Sequence, residues 1–214
     1  IIEDPSLLKC LQNLAYDQFY CEHIYVFSTL ALREVLKSFK LEIFDVENTK
    51  THGGSNGYYI KKNTNSLYKI NNRVNAEIKK ELQFGLNKFS TYQKFAKNVK
   101  ISKSKLLKIF SSLNKKKLRI IGYGATAKSC TVLNYCGLGK SDIKYFYDTT
   151  SYKVNKYLPG SKILIKKYKK LDKKEIDVAF LGAWNFKKEI FKKEKKFIEG
   201  GGKFITHVPN PSII

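Results

Sequence analysis

Two short stretches hold the side chains best suited to chemistry. The first is Tyr16 to His23, "YDQFYCEH", which sets two tyrosines, an aspartate, a glutamate and a histidine beside apolar residues. A histidine with a neighbouring carboxylate and phenol, here His23 with Glu22 and Tyr20, has the makings of an acid/base group near neutral pH. A histidine satisfied by ordinary core hydrogen bonds is the commoner outcome of such spacing, and His52 in "THGGS" carries the same ambiguity. The second stretch is Gly122-Tyr123-Gly124-Ala125-Thr126-Ala127, a match to GxGxx(G/A) set between an apolar run and a helical one. There Gly122 permits a tight turn, Gly124 lets backbone approach a phosphate, and Ala127 lets helix pack closely on strand. The following helix N-terminus offers free N–H groups to an anion, with Lys128 one turn further on. Asp148 lies 24 residues after Gly124, where a ribose partner is expected. This context favours a nucleotide-type ligand over a turn that serves packing alone.

The elements that must hold these groups differ between the two halves of the chain. Residues 1–60 read as helix, helix, strand, strand: a helix from Leu7 to Phe19, and a helix capped by Ser28 with Leu30, Val35, Leu36 and Phe39 on one face. Strands follow in "LEIFDVE" and "GYYIKK", with the paired glycines of Thr51 to Ser55 between them. Val74 to Asn114 reads as lysine-rich helix with a break near 100–104. From Leu118, strands "LRIIGYG", "IKYFYD", "KILI", "VAFLGAW" and "KFITHV" alternate with helical stretches, one of them "NFKKEIFKKEKKFIEG". That alternation predicts an α/β doubly wound, Rossmann-like fold. Trp184 and Asn185 follow a strand of that sheet, at the carboxyl edge where ligands bind, although a lone tryptophan usually packs in the core. His207, inside the last strand, is most simply structural.

Composition narrows the classes. The 214 residues carry a net charge of +23, and 43% are hydrophobic, which excludes wholesale disorder. No apolar run reaches the about 20 residues that span a bilayer. The charge points towards nucleic acid, but only Arg33, Arg73 and Arg119 supply the planar fork that reads bases and phosphates; the other 38 basic residues are lysine. Solvated lysine faces and no nucleic-acid partner are therefore expected. Cys10, Cys21, Cys130 and Cys136 have neither disulfide-scaffold nor metal-ligand spacing, so no metal site is predicted and a cytoplasmic location is expected. The chain starts without methionine, and "IIEDPSLL" reads like the end of a strand leaving another domain, so a fragment is expected.

Taken in order, "YDQFYCEH", "FDVENTKTHGGS", "GYGATAKSCTVLNYCGLG", "YDTTSYKVNKYLPGSKI" and "GAWNFKKEI" resemble the second half of the sugar C-methyltransferases, from about residue 3 to the C-terminus. These S-adenosylmethionine-dependent enzymes methylate C-3 of nucleotide-linked 4-keto-deoxysugars. The resemblance implies that residues 1–73 are the tail of a class I methyltransferase domain, 74–114 a helical connector, and 115–214 a Rossmann-like C-terminal domain. It implies that the S-adenosylmethionine motif and a zinc-binding region belong to a part outside this chain. His23 is then the base that removes the C-3 proton, and the enolate attacks the sulfonium methyl. Glu22 and Tyr20 orient His23 or meet the sugar and its developing oxyanion. His52, Gly53, Gly54 and Ser55 form a loop beside that site; Gly122, Gly124, Ala125, Thr126 and Lys128 line the nucleotide-diphosphate side, with Asp148, Lys153, Trp184 and Asn185 as further substrate contacts. Cys21 stands where the family usually has histidine, and Asn56-Gly57 where it has Leu-Arg. Two other classes stay open on the residues alone: a nucleotide-binding module without methyl transfer, and a nicotinamide-dependent oxidoreductase resting on the glycine fingerprint and Asp148.

Overall fold

A computed structural model describes residues 1–214, which form two units, Ile1–Asn98 and Val99–Ile214. In the first, β1 (Ile2–Pro5) leads through the Ser6 cap into α1 (Leu7–Gln12). The expected helix to Phe19 stops early. Leu14 has φ +50°, and Tyr16–Gln18 form a separate 3-10 turn. Ser28 caps α2 (Thr29–Ser38) as expected, its hydroxyl accepting from Ala31 N at 3.0 Å. The buried face of α2 is Thr29, Leu32 and Leu36, whereas Val35 and Phe39 are 48% and 69% exposed. Apolar type alone did not select the stripe; the i, i+4 pair Leu32/Leu36 meets the sheet.

That sheet has the order β1-β3-β2, from β2 (Leu41–Thr49) and β3 (Ser55–Lys62), all antiparallel. A bulge at Phe44 shifts the register between Ile43 and Asp45. It explains why Ile43 and Val46, three residues apart, both reach the core. Helix α3 (Asn72–Phe84) closes the core with Val74 and Ile78 against Leu32, Leu36 and Tyr58. Its Glu81 accepts from the N–H groups of Thr29 and Leu30 at 2.7 and 2.9 Å, satisfying donors at the start of α2.

The divide between the units falls inside α4 (Phe89–Lys115), which runs unbroken through 100–104. No glycine or proline interrupts it, and Val99, Ser102, Leu106, Phe110 and Leu113 continue one helical stripe across the expected break.

The second unit is the expected α/β doubly wound fold. Its strands are β4 (Ile120–Tyr123), β5 (Phe146–Asp148), β6 (Ile165–Lys167), β7 (Val178–Leu181), β8 (Lys203–Thr206) and β9 (Ser212–Ile213). They lie in the order β6-β5-β4-β7-β8-β9, parallel except for β9. Counted from β4, this is the 3-2-1-4-5-6 arrangement of dinucleotide-binding sheets, whose order reverses between β4 and β7. β4 and β7 are buried along their whole length, as central parallel strands are. Helix α5 (Ala127–Cys136) follows the glycine turn. The single helix read after Trp184 is instead a 3-10 turn, α6 (Lys187–Lys193) and α7 (Lys195–Glu199), broken at Glu194. Glu194 is buried because Tyr123 and Tyr168 donate their hydroxyls to it at 2.9 and 2.6 Å and Leu171 its N–H at 3.0 Å. Three donors converging on one carboxylate settle that helix break.

Candidate functional site

The first cluster is built by a tight turn. The N–H of His23 donates to Tyr20 O at 2.9 Å, folding "YCEH" back so that the two aromatic rings meet. Tyr20 Oη then lies 2.8 Å from His23 Nε2, with ring centroids 4.0 Å apart. On the other side, His23 Nδ1 lies 2.8 Å from the carbonyl oxygen of Gln18 in the 3-10 turn. A carbonyl can only accept, so Nδ1 carries the proton and the lone pair of the neutral ring sits on Nε2. Tyr20 therefore donates to it. Burial, followed by the charge of Glu22 and Asp17, pushes the Tyr20 phenol up to about 12. The hydroxyl stays protonated across the neutral range.

The other end of the loop is anchored by β1. Asp4 accepts from the N–H of Phe27 at 3.0 Å, and Leu7 donates its N–H to Phe27 O at 3.1 Å. Burial raises the Asp4 carboxyl, and the nearby His23 and His52 act against that.

His52 reaches the cluster from the β2–β3 connection. Its ring stands edge-on to His23, centroids 5.3 Å apart. The turn holding it is a run of left-handed residues, His52 at φ +53°, Gly53 at +88° and Gly54 at +131°. A Cβ on Gly54 would come within 2.8 Å of the Lys9 side chain, so the position admits only glycine at its present spacing. Ser55 is buried and donates its hydroxyl to Thr51 O at 3.1 Å, so it holds the turn. Glu22 is exposed, and its charge acts on the Tyr20 phenol. The sequence had no signal for Gln18, whose carbonyl fixes the imidazole; only the turn geometry shows it.

In the second unit a cleft of about 380 Å³ opens at the carboxyl ends of β4, β5 and β7, the place the strand order marks for a ligand. Gly124, Thr126, Asp148 and Lys153 of the expected residues line it, together with Tyr123, Tyr147, Tyr168 and Lys193. Gly122, Ala125, Lys128, Trp184 and Asn185 do not. Gly122 lies within β4, where an added Cβ would come within 2.3 Å of the Phe146 ring; its role is close packing. Gly124 does turn the chain, at φ +85°, against Ala183. Lys128 is buried in the first turn of α5, and Trp184 packs, partly buried, on the core cluster that includes Ala179 and Leu181 of β7.

Asp148 is used by its own backbone. One carboxylate oxygen accepts from Ala125 N at 2.7 Å and the other from Thr150 N at 2.8 Å. Lys153 Nζ donates to the carbonyl of the same Ala125 at 2.9 Å, so the glycine turn is clamped from both sides. Thr126 caps α5, accepting from Ser129 N at 3.1 Å. Tyr147 was legible as a strand residue at the carboxyl edge; Lys193 was not, because it arrives on α6 over the cleft. His207 is fully buried and stacks on Phe180, in line with a structural role.

The C-methyltransferase C-terminal domain profile matches residues 50–209. The C-methyltransferase NovU of Streptomyces niveus is 31% identical over 213 residues, which is 100% of this chain and 50% of that protein. The chain thus spans about half the length of the curated relative it matches. No helix is long and apolar enough to cross a membrane.

Proposed function

The chain belongs to the C-methyltransferase family, and on that premise we propose that it is the C-terminal portion of a nucleotide-sugar C-methyltransferase acting at C-3 of a 4-keto-deoxysugar. The observation that carries the reading is the Tyr20–His23–Gln18 arrangement, which leaves a neutral imidazole with its basic nitrogen against a protonated phenol.

The residues divide the work as follows. A keto group at C-4 acidifies the C-3 proton, and Nε2 of His23 accepts it as Gln18 O supports the imidazolium that forms. The Tyr20 hydroxyl, released from Nε2 by that proton, donates to the oxygen on which negative charge develops. Glu22, exposed beside the pair, meets the sugar; His52 and its turn wall the same site. S-adenosylmethionine, when bound, supplies the electrophilic methyl group. In this chain's glycine turn the Ala125 N–H and carbonyl and both Asp148 carboxylate oxygens are already taken within the chain, so the turn offers none of them to the cofactor. The cofactor and the zinc region are assigned to the portion of the enzyme outside this chain.

The domain boundaries belong to the same proposal. Residues 1–73 end a methyltransferase sheet, a reading supported by β1, which pairs on one side only and so has an edge free to take a further strand. Residues 74–114 lead from one to the other, their first helix α3 packed into the core of the first unit, and 115–214 form the Rossmann-like domain. Its cleft takes the nucleotide, supported by the tyrosines that line it, by Lys153 and Lys193, and by its position at the reversal of strand order. The same proposal takes a cytoplasmic setting and, from a basic charge that is almost all lysine, no nucleic-acid partner.

The decisive experiment is His23→Ala in the full-length protein that carries this chain, with methyl transfer to a nucleotide-linked keto-deoxysugar as readout. The reading requires a loss of about 10²–10⁴-fold. Near-normal turnover overturns it.

A further inference from the structure

Gln18 bonds to both histidines of the cluster by two different groups, to the ring of His23 and to the main chain of His52. Its main-chain oxygen receives His23 Nδ1–H at 2.8 Å. Its side-chain Nε2 donates to the carbonyl oxygen of His52, on the turn between β2 and β3. The residue is 1% exposed, held in the 3-10 turn by its N–H on Ala15 O at 3.1 Å. Its Oε1 is buried without a donor, so the amide's one bond is the one to His52.

Why that bond matters follows from the turn it grips. Three successive left-handed residues, two of them glycine, give residues 52–54 little conformational preference of their own. Their local restraints are Gly54 N on Thr51 O at 2.8 Å, the Ser55 hydroxyl on the same carbonyl, and Ser6 N on Gly54 O at 3.1 Å. On the far side, Thr51 donates its hydroxyl to Glu3 at 2.6 Å. None of these reaches His52 itself. The Gln18 amide ties the His52 backbone to the segment that orients His23.

We infer that Gln18 is a positioning residue, a strut that fixes the His23 tautomer through its carbonyl and registers the His52 turn against that ring through its amide. Its importance for turnover rests on the function proposed above; the strut itself does not. It touches no substrate, and acts through the two histidines.

Three histidines in the whole chain make the test clean, because His207 lies fully buried in the other unit and serves as internal control. Gln18→Met keeps the volume and removes the donor. In the 214-residue chain it is expected to shift the His52 and His23 ring signals in imidazole nitrogen NMR and leave His207 unmoved. Amide exchange at Gly54 is expected to rise about tenfold, as loss of one hydrogen bond allows. Unchanged ring signals and unchanged Gly54 exchange overturn the strut. Should Gln18→Met fail to fold, the wild-type chain decides: the Gln18 Nε2 protons must exchange far more slowly than those of exposed Gln12, and equal rates refute the bond. In the full-length enzyme the same variant lowers kcat about tenfold with KM held within about twofold, the mark of misplacement rather than lost binding. A His23→Ala enzyme with normal turnover would remove the proposed base yet leave the NMR result standing, so the two failures are told apart.

Discussion

The hydroxyl of Tyr20 donates to Nε2 of His23 across 2.8 Å, so in the resting state the basic nitrogen is already occupied by a phenol. The pair behaves as one unit. In the reaction proposed above, proton uptake by the imidazole would release the phenol's hydrogen bond at the moment a developing oxyanion needs one.

Replacing Tyr20 with Phe separates the two roles. The base survives, so turnover persists but falls about 10²-fold, the usual loss when one oxyanion donor is removed. Steady-state kinetics with kcat and KM resolved are the check. An unchanged kcat would show that the phenol does no more than hold the ring.

The pH profile has a definite sign. With the Tyr20 phenol pushed up to about 12, the donor form persists on the alkaline side, and the rate should show no tyrosine-linked decline up to about pH 10. A decline below pH 10 that disappears in Tyr20→Phe would contradict the assignment.

Much of the second unit was legible because parallel strands announce themselves as short, wholly apolar runs between helical ones, as "LRII" and "VAFL" do. Details decided at a distance were not. Gly122 fits a phosphate fingerprint on paper, yet its missing Cβ is required by the Phe146 ring of the neighbouring strand. The break at Glu194 depends on donors from Tyr123, Tyr168 and Leu171, which local propensity cannot include. In the first unit, the motif residues Tyr20, His23 and His52 were visible by type, but the chain length between 23 and 52 hid that their rings meet. Phe44, an extra residue in a bulge, breaks the alternation that would mark the inward face of β2.

Gly122→Ala tests the packing role. Its Cβ would come within 2.3–2.4 Å of the Phe146 ring inside a buried sheet, an overlap that costs about 1–3 kcal/mol or more. Chemical denaturation of the single variant and of Gly122→Ala with Phe146→Leu measures it. Partial recovery in the double variant is expected; equal loss in both would place the strain elsewhere.

Asp148→Ala leaves the N–H groups of Ala125 and Thr150 without their acceptor, at about 1–3 kcal/mol for each donor that stays buried. The Lys153 bond to Ala125 O should loosen with it. Hydrogen exchange at Ala125 and Thr150 reads the effect directly. If only ligand affinity fell and exchange stayed slow, Asp148 would be a ligand contact and not a brace.

The opposite end of the same sheet offers a stability test that spares the cleft. Arg119, just before β4, donates its Nε to Asp177, just before β7, at 2.9 Å, and its backbone N–H to the same oxygen at 2.9 Å. Lys173 adds a second cation. Hydrogen bonding from the Arg119 guanidinium, ahead of that from Lys173, holds the Asp177 carboxyl well below the usual carboxylate range. A carboxyl depressed in the folded state binds its proton more readily when unfolded. Its contribution is therefore complete above the unfolded value, about pH 4, and disappears as pH falls towards the folded one. Asp177→Asn should lower the denaturation midpoint at pH 7, and the gap to wild type should close on acidification below about pH 4. Because Arg119 is partly exposed, added salt should shrink the gap at pH 7 as well. A gap that stays constant from pH 7 to pH 2 would show that the amide disturbs packing and that the ion pair contributes nothing.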